Sequence, residues 1–95
     1  MTGIVNEEFK LKNCMEDVVF IFLDEIIKNK DVCKCERCKL DIASIALNNL
    51  PTKYAVTQRG EVYAKAEMLS EQFRTNVIVE LLKAIEIVSS RPHHC

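Results

Sequence analysis

The sequence predicts an all-α fold, a compact three-helix domain, and three observations predict it. Apolar residues recur at steps of three and four over two long stretches, the period of a helix that buries one face. Glycine and proline number two each in 95 residues, too few turn formers for a many-stranded sheet. Hydrophobic residues make up 48% of the chain, enough for a packed core and well above the disordered range. The length suits a single domain over residues 1–95. A domain of this size gains thin stability from its core alone, and often adds a metal, a disulfide or a second subunit.

The first helix is expected from about Asn6, its N-cap, to Asn29. Leu11, Met15, Val18, Phe22 and Ile26 form its stripe, and Val19, Leu23 and Ile27 widen it. Acidic residues lead and Lys28 and Lys30 follow, as the helix dipole prefers. Asp31 to Lys39 has neither period and reads as irregular backbone. A short second helix, from about Cys38 to Leu50, places Ile42, Ala43, Ala46, Leu47 and Leu50 on one side and ends before Pro51. Thr52 to Thr57 has β-propensity, and Gln58 to Glu61 reads as a turn. A long last helix is expected from about Val62 to Ser89, striped by Ala66, Leu69, Phe73, Val77, Leu81, Ala84 and Val88.

Two features of this layout suggest a homodimer. A lone strand leaves its backbone groups unpaired, so Thr52–Thr57 must pair with another copy or be an extended loop. The last helix is apolar on more than one side, through Val77, Ile78, Val79, Leu81, Leu82, Ile85 and Ile87. Such a helix is normally covered on most of its girth.

Charge and hydropathy exclude several classes. A net charge of −1 gives no basic field for nucleic acid or an anionic membrane. The longest strictly apolar run, Val18 to Leu23, is far shorter than a membrane span of ~20 residues. The first residues lack the basic and apolar regions of a secretory leader, so a cytoplasmic setting is expected. Thiols stay reduced there, and five cysteines then suggest metal or redox chemistry before structural disulfides.

Cys33, Cys35 and Cys38 fall within Cys-Lys-Cys-Glu-Arg-Cys. A C-x2-C spacing brings two sulfurs to one tetrahedral ion at a tight turn, and the extra C-x-C arm needs irregular backbone. Lys28, Lys30, Lys34, Arg37 and Lys39 surround the knot against Asp31 and Glu36, and positive charge favours thiolate ligands. The reading is a structural Zn2+ with a fourth ligand drawn from Cys95, His93 or His94, Cys95 being preferred. Cys14 is expected to lie within the first helix, about 22 Å from the knot, as a buried thiol. Asp41 reads as a cap or first-turn acid, the alternative being a support for the surroundings of a thiolate ligand. Tyr54, Arg59, Tyr63, Lys65 and Arg74 mix aromatic and basic groups able to stack on bases and pair with phosphates. Catalytic signatures do not emerge: no Ser/His/Asp order, phosphate loop or H-E-x-x-H motif is present, and the chain reads as a non-enzyme.

The run Asp31-Val-Cys-Lys-Cys-Glu-Arg-Cys-Lys-Leu-Asp-Ile-Ala-Ser-Ile-Ala-Leu-Asn-Asn-Leu-Pro-Thr-Lys-Tyr54 closely resembles the ComFB family, named for late competence development. The likeness continues more loosely through Gly60 and the last helix. It implies an α-rich homodimer with cysteine-bound zinc, the further cysteine lying beyond the last helix, as Cys95 does here. It also implies a regulatory role, and in some relatives a receptor for cyclic dinucleotides such as cyclic di-GMP. The alternatives are a redox-responsive thiol or zinc switch, and a protein-interaction adaptor that presents the basic collar to an acidic partner.

Overall fold

The computed structural model describes residues 9–91. Their order is strand β1 (Lys12–Asn13), helix α1 (Cys14–Ile27), helix α2 (Glu36–Asn48), strand β2 (Tyr54–Ala55), helix α3 (Gln58–Glu67) and helix α4 (Glu71–Ser90). The helix-rich fold expected from periodicity is present, with four helices among the described residues in place of three.

The first difference lies at the start of α1. Residues 9–13 are not helical, and Asn13 is the N-cap, its Oδ1 accepting from Met15 N at 3.2 Å. The expected cap, Asn6, lies outside the described residues. The same Oδ1 accepts from Lys53 N at 2.8 Å, and Cys14 N donates to Lys53 O at 2.7 Å. One side chain therefore starts the helix and also holds the segment entering β2. Leu11, placed in the stripe by spacing, is 75% exposed because it precedes the helix.

β2 does not wait for a second copy. It pairs antiparallel with β1, Lys12 opposite Ala55 and Asn13 opposite Tyr54. Lys10 N extends the pairing to Val56 O at 3.1 Å. A lone-strand argument for dimerisation thus fails, since the backbone finds its partner within the chain.

The second difference divides the long last helix. Gln58–Glu61 is the first turn of α3 rather than a connecting turn, capped by Thr57, whose Oγ1 accepts from Gly60 N at 3.0 Å. α3 closes with Met68 N donating to Lys65 O and Leu69 N to Ala66 O. Ser70 then caps α4, its Oγ accepting from Phe73 N at 3.1 Å. The change of direction turns Leu69 outward and sends Ala64 and Met68 inward, so Ala66 and Leu69 leave the buried stripe.

The core lies among α1, α2 and α4, with α3 and the strands closing one end. Met15, Val19, Leu23 and Ile27 meet Ile42, Ala43 and Ala46 of α2 and Val77, Leu81, Ala84, Ile85 and Val88 of α4. Val18, Phe22 and Ile26 sit at its margin, so the centre of α1's stripe is one residue beyond the predicted line. Small Ala43, Ala46 and Ala84 keep the α2–α4 packing close. α2 ends where Asn49 N turns back to Ala46 O, just before Pro51, as the sequence indicates. No helix among the described residues is long and apolar enough to cross a membrane.

Candidate metal centre

α1 ends in a tight turn in which Lys30 N donates to Ile27 O at 3.1 Å. The chain then runs irregularly until Cys35 caps α2. Cys35 Sγ accepts from Cys38 N at 3.4 Å, and Lys39 N bonds Cys35 O at 3.0 Å to open the helix. The loop is pinned by Lys34, whose Nζ donates to the carbonyls of Lys30 and Val32. These constraints bring the sulfurs of Cys33, Cys35 and Cys38 within 4.8 Å of one another. Tetrahedral zinc with Zn–S of ~2.3 Å places its sulfurs roughly 3.8 Å apart, so side-chain rotations of about 1 Å suffice.

Burial grades the three. Cys33 and Cys35 are half-buried, while Cys38 is 1% exposed and belongs to the core. Cys35 and Cys38 stand outside any disulfide, as does Cys14; Cys33 is disulfide-bonded. Burial pushes the Cys38 thiol up, its hydrogen bond with Cys35 adds to the rise, and Arg37 opposes it only weakly. A metal would reverse this, because a bound cation deprotonates a coordinating thiol.

The basic collar is less available than its composition implies. Arg37 Nε faces both oxygens of Asp41 at 3.2 Å, and Lys39 Nζ meets Asp24 of α1 at 2.9 Å. Lys34 is committed to the loop carbonyls. Asp41 is therefore not a cap: it sits in the second turn of α2 as the partner of Arg37, and Cys35 does the capping.

A cleft of about 220 Å³ opens beside the cysteines, lined by Cys33, Cys38, Asp31, Val32 and Ile42 with Val88 and Ser89 of α4. The last turn of α4 therefore reaches the knot. Sequence reading missed Val88 and Ser89 here, and no residue pattern marks them; only the antiparallel lie of α4 brings them close. Cys95, His93 and His94 lie outside the described residues. Cys14 is fully buried, as expected, but it is the first residue of α1, at the end opposite the cysteine loop.

The aromatic and basic set is only partly gathered. Arg59 and Tyr63 are exposed on α3 one turn apart, on a shared face. Tyr54, 58% exposed, stands on β2, which packs against α3. Lys65 points elsewhere: its Nζ lies 3.2 Å from Asp17 and 3.6 Å from Glu61, in a cluster with Lys12. Arg74 is exposed in the first turns of α4, on a separate helix.

The family described as late competence development protein ComFB matches residues 12–92. The chain belongs to the ComFB family. It is similar to competence protein ComFB of Bacillus subtilis (strain 168), 29% identical over 83 residues, covering 86% of this chain and 85% of that protein. Its fold is similar to a solved structure of late competence protein ComFB from Bacillus subtilis, with a TM-score of 0.77 and 28% identity, covering 90% of this chain and 97% of that one.

Proposed function

We propose that this chain is a regulatory competence protein whose cysteine cluster holds a structural zinc ion through Cys33, Cys35, Cys38 and Cys95. The observation that carries the reading is the set of three sulfurs within 4.8 Å at the start of α2. Cys95 is supported by the path of α4, because Ser89 lines the cleft shared with Cys33 and Cys38. The six residues from Ser89 to Cys95 span at most about 20 Å, ample to return to it. Zinc needs thiolates, so this is a site of the reduced chain in a reducing, cytoplasmic setting. Elemental analysis of protein purified with reductant and without chelator tests it. One zinc per chain is expected; less than about a tenth of an equivalent, with all five thiols titratable, excludes the site.

The regulatory part of the reading has two supports. Val79, Leu82 and Ile87 stay 41%, 43% and 53% exposed on α4, an apolar surface suited to a second copy. Light scattering is expected to give twice the 10.9 kDa chain mass. Arg59 and Tyr63, with Tyr54 beside them, offer a guanidinium and aromatic rings to a phosphate and a base. Two such faces in a dimer match a two-fold symmetric cyclic dinucleotide. Calorimetry with a panel of these ligands should show heat that Arg59→Ala weakens at least tenfold, about 1.4 kcal/mol. No heat at ~100 μM, a concentration suited to weak binding, leaves the adaptor reading.

A redox switch is the second reading, and one observation favours it: Cys33 is disulfide-bonded while its two cluster neighbours are not. Zinc binding and that bond exclude each other at Cys33, so in this reading oxidation of Cys33 takes one ligand from the zinc site.

A further inference from the structure

The two-stranded sheet leaves one edge open. β2 packs against α3 and α1, whereas the principal neighbour of β1 is β2 itself. Lys10 N donates to Val56 O and Cys14 N to Lys53 O, so the even positions of this stretch direct their backbone groups into the sheet. The odd positions between them face the other way, because backbone groups alternate sides along a strand. Leu11 accordingly makes no backbone hydrogen bond among the described residues. An unpaired strand edge is a template for another extended chain. The side chains mark the same edge. Phe9 and Leu11 are 76% and 75% exposed. The β1–β2 register, carried on by one residue, sets half-exposed Val56 opposite Leu11, and Tyr54 opposite Asn13 continues the row. Lys10 and Lys12 take the alternate positions, on the other face.

We propose that the open edge of β1 docks an extended segment of another protein, in which apolar residues alternate with acidic ones. The backbone selects the shape of this occupant. A segment paired antiparallel with β1 returns a carbonyl and an amide to Leu11, and an extended chain offers both from one residue. The apolar row selects every second side chain, which lies on the face of Phe9, Leu11 and Val56. Charge selects the rest. Around the other face the described residues place three lysines, Lys10, Lys12 and Lys65, against two carboxylates, Asp17 and Glu61. Acidic side chains of the incoming strand meet that excess of positive charge. The same lysines argue against a second copy. Two-fold pairing of β1 with β1 about Leu11 sets Lys10 of each copy opposite Lys12 of the other. Like charges directly opposite destabilise a strand pair, and edge lysines are a common guard against self-pairing. The surface lies at the end of α1 away from the cysteine cluster, and it depends on neither zinc nor a nucleotide.

The probe is a short labelled peptide of alternating valine and glutamate, titrated into the full chain and read by fluorescence anisotropy. Saturable binding is expected by ~1 mM, a range suited to one short strand pairing. Its valines share the face of Leu11, so their amides point at β1. N-Methylation of the valines is expected to weaken binding about tenfold, whereas N-methylation of the glutamates, whose amides point away, changes it little. Lysine in place of glutamate should weaken it several-fold. Leu11→Pro removes the outward amide and spares the bonds of Lys10 and Cys14, so peptide binding should be lost at an unchanged melting temperature. Exchange of the Leu11 amide hydrogen in the wild-type chain, followed by NMR, should slow when the peptide is bound, and this needs no variant. Equal binding of the valine-methylated peptide, an unslowed Leu11 amide at saturation, or no saturation at all overturns strand addition. Equal binding of the lysine peptide overturns the acidic partner. A wild type of twice the chain mass that Leu11→Pro makes monomeric assigns the edge to a second copy and overturns the proposal.

Discussion

The two ends of α1 solve one problem with different chemistry. At the N-terminal end, Asn13 and the β1–β2 pairing tie the helix to the segment before α3 through backbone and amide hydrogen bonds. At the C-terminal end, α1 meets α2 through a loop with no regular structure, organised around three sulfurs and a lysine that bonds two carbonyls. The first end is complete in any solvent that leaves hydrogen bonds intact. The second depends on what its sulfurs are bound to. A small domain can thus hold one end by hydrogen bonds alone while the order of its other end rests on the state of three sulfurs.

The largest test breaks the conditional end. Removing zinc from the reduced protein with a chelator should cost about 4 kcal/mol, if zinc had been present at a thousand times its Kd. For a domain of this size that lowers the melting temperature by roughly 16–32 °C. Hydrogen exchange should rise at the start of α2 and the last turn of α4, which share the cleft, and far less at β1–β2. An unchanged melting temperature would show that the loop holds itself together without a metal.

A smaller effect sharpens the other side. Asn13→Ala leaves the amides of Met15 and Lys53 without their acceptor, and should cost about 1–2 kcal/mol. The loss should be the same with and without zinc, because the sites lie at opposite ends of α1. Denaturation midpoints of wild type and variant in both metal states measure it, with additivity expected to within about 0.5 kcal/mol. Strong coupling would mean that the ends communicate through α1.

How far the sequence reveals this contrast depends on which link of the chain is being read. The cysteine cluster was legible because C-x-C-x2-C is local: six residues and one helix start bring the sulfurs together, whatever the rest of the fold does. The core residues of α4 were legible for a similar reason, Val77, Leu81, Ala84 and Val88 keeping strict helical spacing. β1 was not, because two residues just before a helix carry no period of their own, and Lys12 and Asn13 become strand only through Tyr54 and Ala55, some forty positions away. The break at Met68–Ser70 hid behind Ala66, Leu69 and Phe73, whose spacing suits an unbroken helix. The usable signal was Ser70 followed by Glu71, a cap and a first-turn acid. Gln58 to Glu61 reads as a turn around Gly60, yet Thr57 makes the same residues the first turn of a capped helix. The basic collar was legible as composition but not as charge, since Asp24 and Asp41 reach it from positions that only the folded chain defines.

The smallest expected effect concerns the ions that overlie the strand end. Lys12 Nζ lies 2.7 Å from Asp17 and also meets Glu61, with Lys65 completing a group of two cations and two carboxylates. The hydrogen bond from Lys12 is the main reason that both carboxyls are held below their ordinary values, with burial opposing it. Lys12 in turn is raised by Asp17 and Glu61. The sign follows from these directions. A depressed carboxyl contributes stability that is fully present above its unfolded pKa, about 3.9 for Asp and 4.3 for Glu, and that fades as pH falls through the lower folded value. The raised lysine contributes below about pH 10.4 and loses its effect as pH rises through the higher folded value. Between these limits the group should be indifferent to pH. All four side chains retain solvent access, so the gain is small and screened by salt. Melting temperatures from about pH 6 to pH 3 at low salt, for wild type and Lys12→Met, isolate it from the other carboxylates. Wild type should exceed the variant near pH 6 and converge on it near pH 3, and 0.5 M salt should shrink the gap. Curves that run parallel over the whole range would mean that Lys12 acts through the packing of its methylene stem or the pairing of β1, leaving hydrogen bonds as the only support of that end.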